Sequence, residues 1–189
     1  TPNMMEAHNN LGAVYFDHRE LDNALACFRQ SLALRPNNVE AHNNIGNVLK
    51  DQGNLEEALL SYQKSLRLKP GNADVMSNMG DVLRRLGRYD EALDVLRKAL
   101  IIKPHFAEAE WNLALTMFML GDLEKGFALY EKRLDIAHAE EYARAGIGKV
   151  LPQLSSKPRW QGEDLHGKKV LIWTEQGVGD NLMMMRYLP

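Results

Sequence analysis

The sequence predicts an all-α solenoid of antiparallel helix pairs, followed by a short C-terminal strand–loop–helix piece of an α/β domain. Three observations carry this. Residues recur at a fixed step of 34 over about residues 1–138. Each repeat holds two stretches of helical apolar spacing, and after residue 138 the period fades into a continuous apolar run flanked by glycines.

The recurring columns are dense. Pro2, Pro36, Pro70 and Pro104 keep the step, as do Leu32, Leu66, Leu100 and Leu134. Gly12, Gly46 and Gly80 form a column completed by Ala114, and Ala24, Ala58 and Ala92 form one completed by Gly126. The units are 5–38, 39–72, 73–106 and 107–138. In the first, a helix over about Met5–His18 places Leu11, Gly12 and Tyr15 on one face, and Leu21–Leu34 places Ala24, Leu25, Phe28 and Leu32 on another. Gly53, Gly87 and Gly121 stand between paired helices, where a left-handed stop is wanted; Arg19 holds that place in unit one. Proline after each second helix blocks its continuation, so Pro2 and Asn3 read as the tail of a preceding repeat. Asn37, Asn38 and Asn72 are N-cap residue types. The small columns allow close backbone approach, and a larger side chain there would overpack.

Beyond 138, residues 139–151 form a capping or degenerate fifth-repeat helix and 152–167 a linker rich in Pro, Gly and Ser. Residues 168–189 begin with Val170–Trp173, an apolar run fit for a strand buried on both faces, then the loop Glu175-Gln176-Gly177-Val178-Gly179-Asp180 and an apolar helix. Gly177, Gly179 and Asp180 are the candidate phosphate-loop residues, because such a loop offers backbone N–H groups and a helix N-terminus to an anion. The 189-residue length reads as a cut through a larger protein.

Composition excludes several functions. Net charge is −2, which gives no bulk attraction for nucleic acid or an anionic membrane. A single cysteine, Cys27, rules out an internal disulfide and a four-cysteine zinc site. No apolar run reaches the roughly 20 residues that span a bilayer. A cytoplasmic protein is expected, without metal or cofactor. His8 and His42 share a packing column, and Met183–Met185 reads as buried helix.

The polar stripe of each first helix carries the candidate binding site. Glu40, Asn44, Asn47 and Asp51 follow an i, i+4, i+7, i+11 pattern opposite His42, Ile45, Gly46 and Leu49. One column is asparagine in every unit: Asn10, Asn44, Asn78 and Asn112. An amide both donates and accepts, so it can pair with the N–H and C=O of an extended chain without reading its side chains. The alternative is a polar residue merely tolerated on an exposed face. Asp81 and Arg85 continue the stripe in unit three, where Arg84 and Arg85 form a small basic patch that either takes a carboxylate or only solvates the face. Glu6, Glu40, Asp74 and Glu108 sit where first-turn acids complement the helix dipole. Unit four instead shows Trp111, Leu115, Phe118 and Met119, an apolar set that marks an interface for the next segment.

The 34-residue period, Leu11-Gly12, Tyr15, the Ala24…Phe28 pair and Pro36 resemble the tetratricopeptide repeat family; Ile45-Gly46, Ala58, Tyr62 and Pro70 repeat the match. The resemblance covers about residues 1–138. It implies a right-handed superhelix whose concave face displays the asparagine column. That column is similar to the asparagine ladder of O-GlcNAc transferase solenoids, which hold polypeptide substrate. From Pro158-Arg159-Trp160 through Gly167, EQGVGD and Arg186–Pro189, the chain resembles the junction in bacterial tetratricopeptide proteins that carry a heptosyltransferase-like domain of the GT-B fold. In that branch the loop aspartate, here Asp180, can act as acceptor base; capping of its own helix is the plainer role. Only some 22 residues follow Gly167, too few for an enzyme, and a nucleotide sugar would be a ligand only of a complete parent protein. The expected function is a scaffold that holds an extended polypeptide or partner protein on its concave face. The alternatives are the substrate-presenting region of a glycosyltransferase and a self-assembly scaffold associating through the C-terminal tail.

Overall fold

The computed structural model describes residues 2–130. The expected helix at 139–151, the linker at 152–167 and the strand–loop–helix piece with Gly177, Gly179 and Asp180 lie outside the described residues. Among the described residues the chain forms eight helices: α1 (Pro2–Asp17), α2 (Leu21–Leu34), α3 (Val39–Asp51), α4 (Leu55–Leu68), α5 (Ala73–Arg85), α6 (Tyr89–Ile102), α7 (Ala107–Met119) and α8 (Leu123–Tyr130). The two helices of each unit pack on each other. Each second helix packs on the first helix of the next unit, and the first helices α1, α3, α5 and α7 are neighbours in order.

The turn within each unit has one geometry. Arg19, Gly53, Gly87 and Gly121 have φ of 63°, 82°, 76° and 81°. The N–H of the following residue reaches five residues back, as in Asn54 N–H to Leu49 C=O at 2.9 Å, and the N–H of the left-handed residue reaches three back, as in Gly53 N–H to Lys50 C=O at 3.1 Å. This is the Schellman closure that satisfies the last carbonyls of the first helix. The turns between units rely on side chains instead. Asn38 Oδ1 accepts from the N–H groups of Glu40 and Ala41, and Asn72 Oδ1 from that of Val75. The cap is therefore Asn38 and not Asn37. In unit four the cap position holds Phe106, which is buried and lies under Lys103 Nζ at 3.7 Å from the ring centroid, so packing replaces the cap. Helix α1 starts at Pro2, earlier than the repeat pattern predicts, because proline at the first helical position loses no intrahelical bond. Glu6 consequently falls beyond the first turn of its helix, while Glu40, Asp74 and Glu108 lie within theirs.

The core follows the small columns. Ala24, Ala58 and Ala92 are fully buried. A Cβ on Gly12 would stand 2.7 Å from Phe28 Cε1, one on Gly46 2.5 Å from Tyr62 Cε1, and one on Gly80 2.5 Å from Leu96 Cγ. Each second helix thus drives a large side chain into a hole that only glycine leaves open on the first. Unit four reverses the arrangement. Ala114 fills the glycine place, and the ring of Phe118, from the first helix, presses on Gly126 of the second, where a Cβ would be 2.5 Å from Phe118 Cδ1. Phe118 also packs against Phe127, with centroids 4.9 Å apart and the rings tilted by 60°.

Candidate functional site

The face shared by α1, α3, α5 and α7 carries the asparagine column, one residue in each unit at the 34-residue step. Asn10 is exposed, and Asn44, Asn78 and Asn112 are half-buried. The last three reach across to neighbouring first helices. Asn44 Nδ2 donates to Asn9 Oδ1 at 3.5 Å. Asn112 Nδ2 donates to the Ser77 carbonyl at 3.3 Å and to its hydroxyl at 3.4 Å. Asn78 Oδ1 accepts from Lys50 Nζ at 3.4 Å. Asn9 and Ser77 occupy one column, and both are buried. These bonds between repeats were not foreseen; the doublets Asn9-Asn10 and Asn43-Asn44 are the sequence signal that could have suggested them. Each bond uses part of an amide's capacity and leaves further donors or acceptors.

Asn47 is held from behind. Tyr62, fully buried on α4, donates its hydroxyl proton to Asn47 Oδ1 at 2.7 Å. Burial pushes the phenol well above its ordinary pKa, and the carboxylates of Asp81 and Asp51 add to the rise, so it stays a donor. Turning the Asn47 amide over would leave a buried hydroxyl proton without an acceptor, and this fixes the Asn47 N–H groups as the part offered outward. Asp81 Oδ1 accepts from Arg84 Nη2 at 2.6 Å, and Asp51 Oδ2 pairs with Arg19 Nη1 at 2.7 Å. Arg85 is exposed, and its Nη1 donates to the Lys50 carbonyl at 3.4 Å.

Asn44 and Asn47 meet in a pocket of about 210 Å³ that is also lined by Ala13, Phe16, Asp17 and Phe28. The structure therefore brings these two predicted residues together. Asn78, Asp81 and Arg85 lie one unit further along, and Asn112 one beyond that. Of the apolar set in unit four, Trp111, Leu115 and Phe118 are half-buried and Met119 is exposed. Among the described residues no cluster of His, Cys, Asp and Glu is arranged to hold a metal, and no helix is long and apolar enough to cross a membrane.

Comparison with known proteins bears on the fold. A tetratricopeptide repeat model matches residues 3–71 and 40–103, and a second model of the same repeat matches 83–147. Protein FlbA of Caulobacter vibrioides is 47% identical over 45 residues, which span 20% of this chain and 8% of that protein. A crystal structure of MamA superposes with a TM-score of 0.64 at 23% identity, covering 77% of this chain and 82% of that one. The first TPR of Spaghetti (RPAP3), bound to an HSP90 peptide, gives 0.62 at 18% identity over 64% of this chain and 96% of that one. A mutant of the Thermobaculum terrenum O-GlcNAc transferase gives 0.59 at 22% identity, over 61% of this chain and 22% of that one. At these identities the likeness to solved structures is a likeness of fold.

Proposed function

The chain belongs to the tetratricopeptide repeat family, and on that footing we propose that it is a polypeptide-binding scaffold. Its concave face holds an extended segment of a partner protein on Asn10, Asn44, Asn47, Asn78 and Asn112, with Asp81 and Arg85 beside them. The observation that carries the reading is the asparagine column, present in all four units and set at one register on the face of the first helices. Packed helices stand about 8–10 Å apart and an extended chain rises about 3.3 Å per residue, so one amide meets the ligand every two or three residues. Each hydrogen bond contributes about 0.5–1.5 kcal/mol net, which gives weak and broad binding. The Spaghetti domain, which shares the fold, is bound to an HSP90 peptide, and this supports a polypeptide ligand.

The test is replacement of Asn10, Asn44, Asn78 and Asn112 together by Ala, with binding of fluorescein-labelled unstructured peptides followed by polarisation. Binding is expected to be lost while the helical circular dichroism and most of the thermal stability remain. Retained binding overturns the reading. Trp111, Leu115, Phe118 and Met119 serve in this reading as the surface that docks the next segment of the chain. In this reading the scaffold works in the cytoplasm, a compartment in which a half-buried free thiol such as Cys27 stays reduced.

A second reading is favoured by the EQGVGD sequence at 175–180 and by the transferase among the structures that share the fold. Here the same groove presents an acceptor polypeptide to a glycosyltransferase-like domain of a parent protein. Nucleotide sugar and acceptor incubated with this chain alone are expected to give no turnover.

A further inference from the structure

The residues that line the pocket between α1, α2 and α3 differ from those at the equivalent positions further along the solenoid, above all in charge. At the later junctions the chain supplies its own cation. Lys50, which occupies the column of Phe16, sends its ammonium to Asn78 Oδ1. Arg84, the next in that column, pairs with Asp81. In the first pocket the column residue is Phe16, which brings no charge. Asp17 lines the pocket, is exposed and makes no ion pair among the described residues. Asn44, the equivalent of Asn78, uses its Nδ2 on Asn9 and keeps its Oδ1 free. The pocket therefore has an apolar floor of Ala13, Phe16 and Phe28, a carboxylate and an amide oxygen as acceptors, and the outward N–H groups of Asn47.

We propose that this pocket is the subsite for a lysine or arginine side chain of the bound polypeptide. The methylene stem lies along Phe16 and Ala13, as long cationic side chains cover apolar surface. The charged head takes Asp17 and Asn44 Oδ1, the place that Lys50 fills for Asn78. Asn47, oriented by Tyr62, donates to a backbone carbonyl beside the basic residue. The subsite adds side-chain preference at one register to a ladder that otherwise reads only backbone. It rests on the polypeptide-binding reading above.

The experiment uses three synthetic peptides of about twelve residues, long enough at about 3.3 Å per residue to cross several first helices. They are identical except for one central residue, which is lysine, its uncharged analogue norleucine, or glutamate. Affinities for the full chain are measured by fluorescence polarisation at low and at high salt. The lysine peptide is expected to bind about two- to fivefold more tightly than the norleucine peptide, the scale of an exposed ion pair, and the advantage is expected to shrink with salt. Glutamate is expected to bind most weakly. Asp17→Asn should bring the lysine peptide to the norleucine level without changing the norleucine affinity. Phe16→Lys, which copies the residue at 50, should do the same by filling the subsite from within. Equal binding of the three peptides, tightest binding of glutamate, or a lysine preference that survives Asp17→Asn overturns the subsite and leaves the scaffold reading standing. Failure of all three peptides to bind overturns both.

Discussion

Replacing Gly46 by Ala tests the feature on which the whole solenoid depends. The new Cβ would lie 2.5 Å from Tyr62 Cε1 and 2.7 Å from Cδ1. Carbon atoms in good contact stand about 3.5–4.0 Å apart, so α3 and the ring must separate by about 1 Å or more. The ring has little freedom to give way: Tyr62 is fully buried and its hydroxyl is tied to Asn47 at 2.7 Å. Overpacking of this kind costs about 1–3 kcal/mol. Loss of the hydroxyl bond adds about 1 kcal/mol, and the better helix propensity of alanine returns about 0.8–1 kcal/mol. The last two nearly cancel, so the net expectation is a destabilisation of about 1–3 kcal/mol. Urea unfolding followed by circular dichroism measures it, with Gly71→Ala as the control, because a Cβ on Gly71 meets nothing within 4 Å. A Gly46→Ala chain as stable as the parent would refute the argument that glycine is needed there for close approach.

Other substitutions probe the remaining parts. Asn38→Ala removes a cap that accepts from two N–H groups and also donates to Ser31 Oγ; a loss of about 1–2 kcal/mol is expected in the same urea assay. His105 holds φ at 61°, so His105→Gly should raise stability by about 0.5–1 kcal/mol, the relief of left-handed strain less the extra chain entropy of glycine, and a lower melting temperature would contradict it. Tyr62 gives a pH signature. Its folded pKa is raised from an ordinary value of 10.0, so its contribution is complete below pH 10 and declines above it, because the unfolded phenol ionises first. The decline is at most tenfold in the folding equilibrium per pH unit. Tyr62→Phe should flatten the alkaline limb of a stability–pH curve, and an unchanged slope would count against it.

Much of the fold was legible because it is repeated. The Leu21–Leu34 helix and the positive φ at positions 19, 53, 87 and 121 follow from columns visible in the sequence, since a residue type that recurs at one place in every unit answers one steric demand. What was hidden was the partner across the contact. Gly126 and Ala114 looked like a weakened pattern in unit four, yet they are one reversal: the hole moves to the second helix because the knob, Phe118, comes from the first. Column reading compares like positions and does not pair unlike ones. For the same reason the columns mark Asn44 and Asn47 but not that Asn9 and Tyr62 hold them. The early start of α1 escaped because Pro2, in a column that elsewhere ends helices, is also a residue that begins them.

The asparagine column raises the question of whether it binds ligand or merely joins repeats. The inter-repeat bonds of Asn44, Asn78 and Asn112 are 3.3–3.5 Å long, at or beyond the long end of the useful range. The spacing between repeats is set elsewhere, where each second helix packs on the first helix of the next unit. The amides therefore inherit their register from the core and contribute little to fixing it. A weak tether of this kind orients a side chain without using it up: Asn44 and Asn112 engage the amide nitrogen and leave the carbonyl, and Asn78 engages the carbonyl and leaves its N–H groups. Removing the ladder should then separate the two roles by magnitude. Stability should fall by a few tenths of a kcal/mol per bond, below the about 1 kcal/mol of a well-formed hydrogen bond, while peptide binding, which has few other anchors on this face, should be lost.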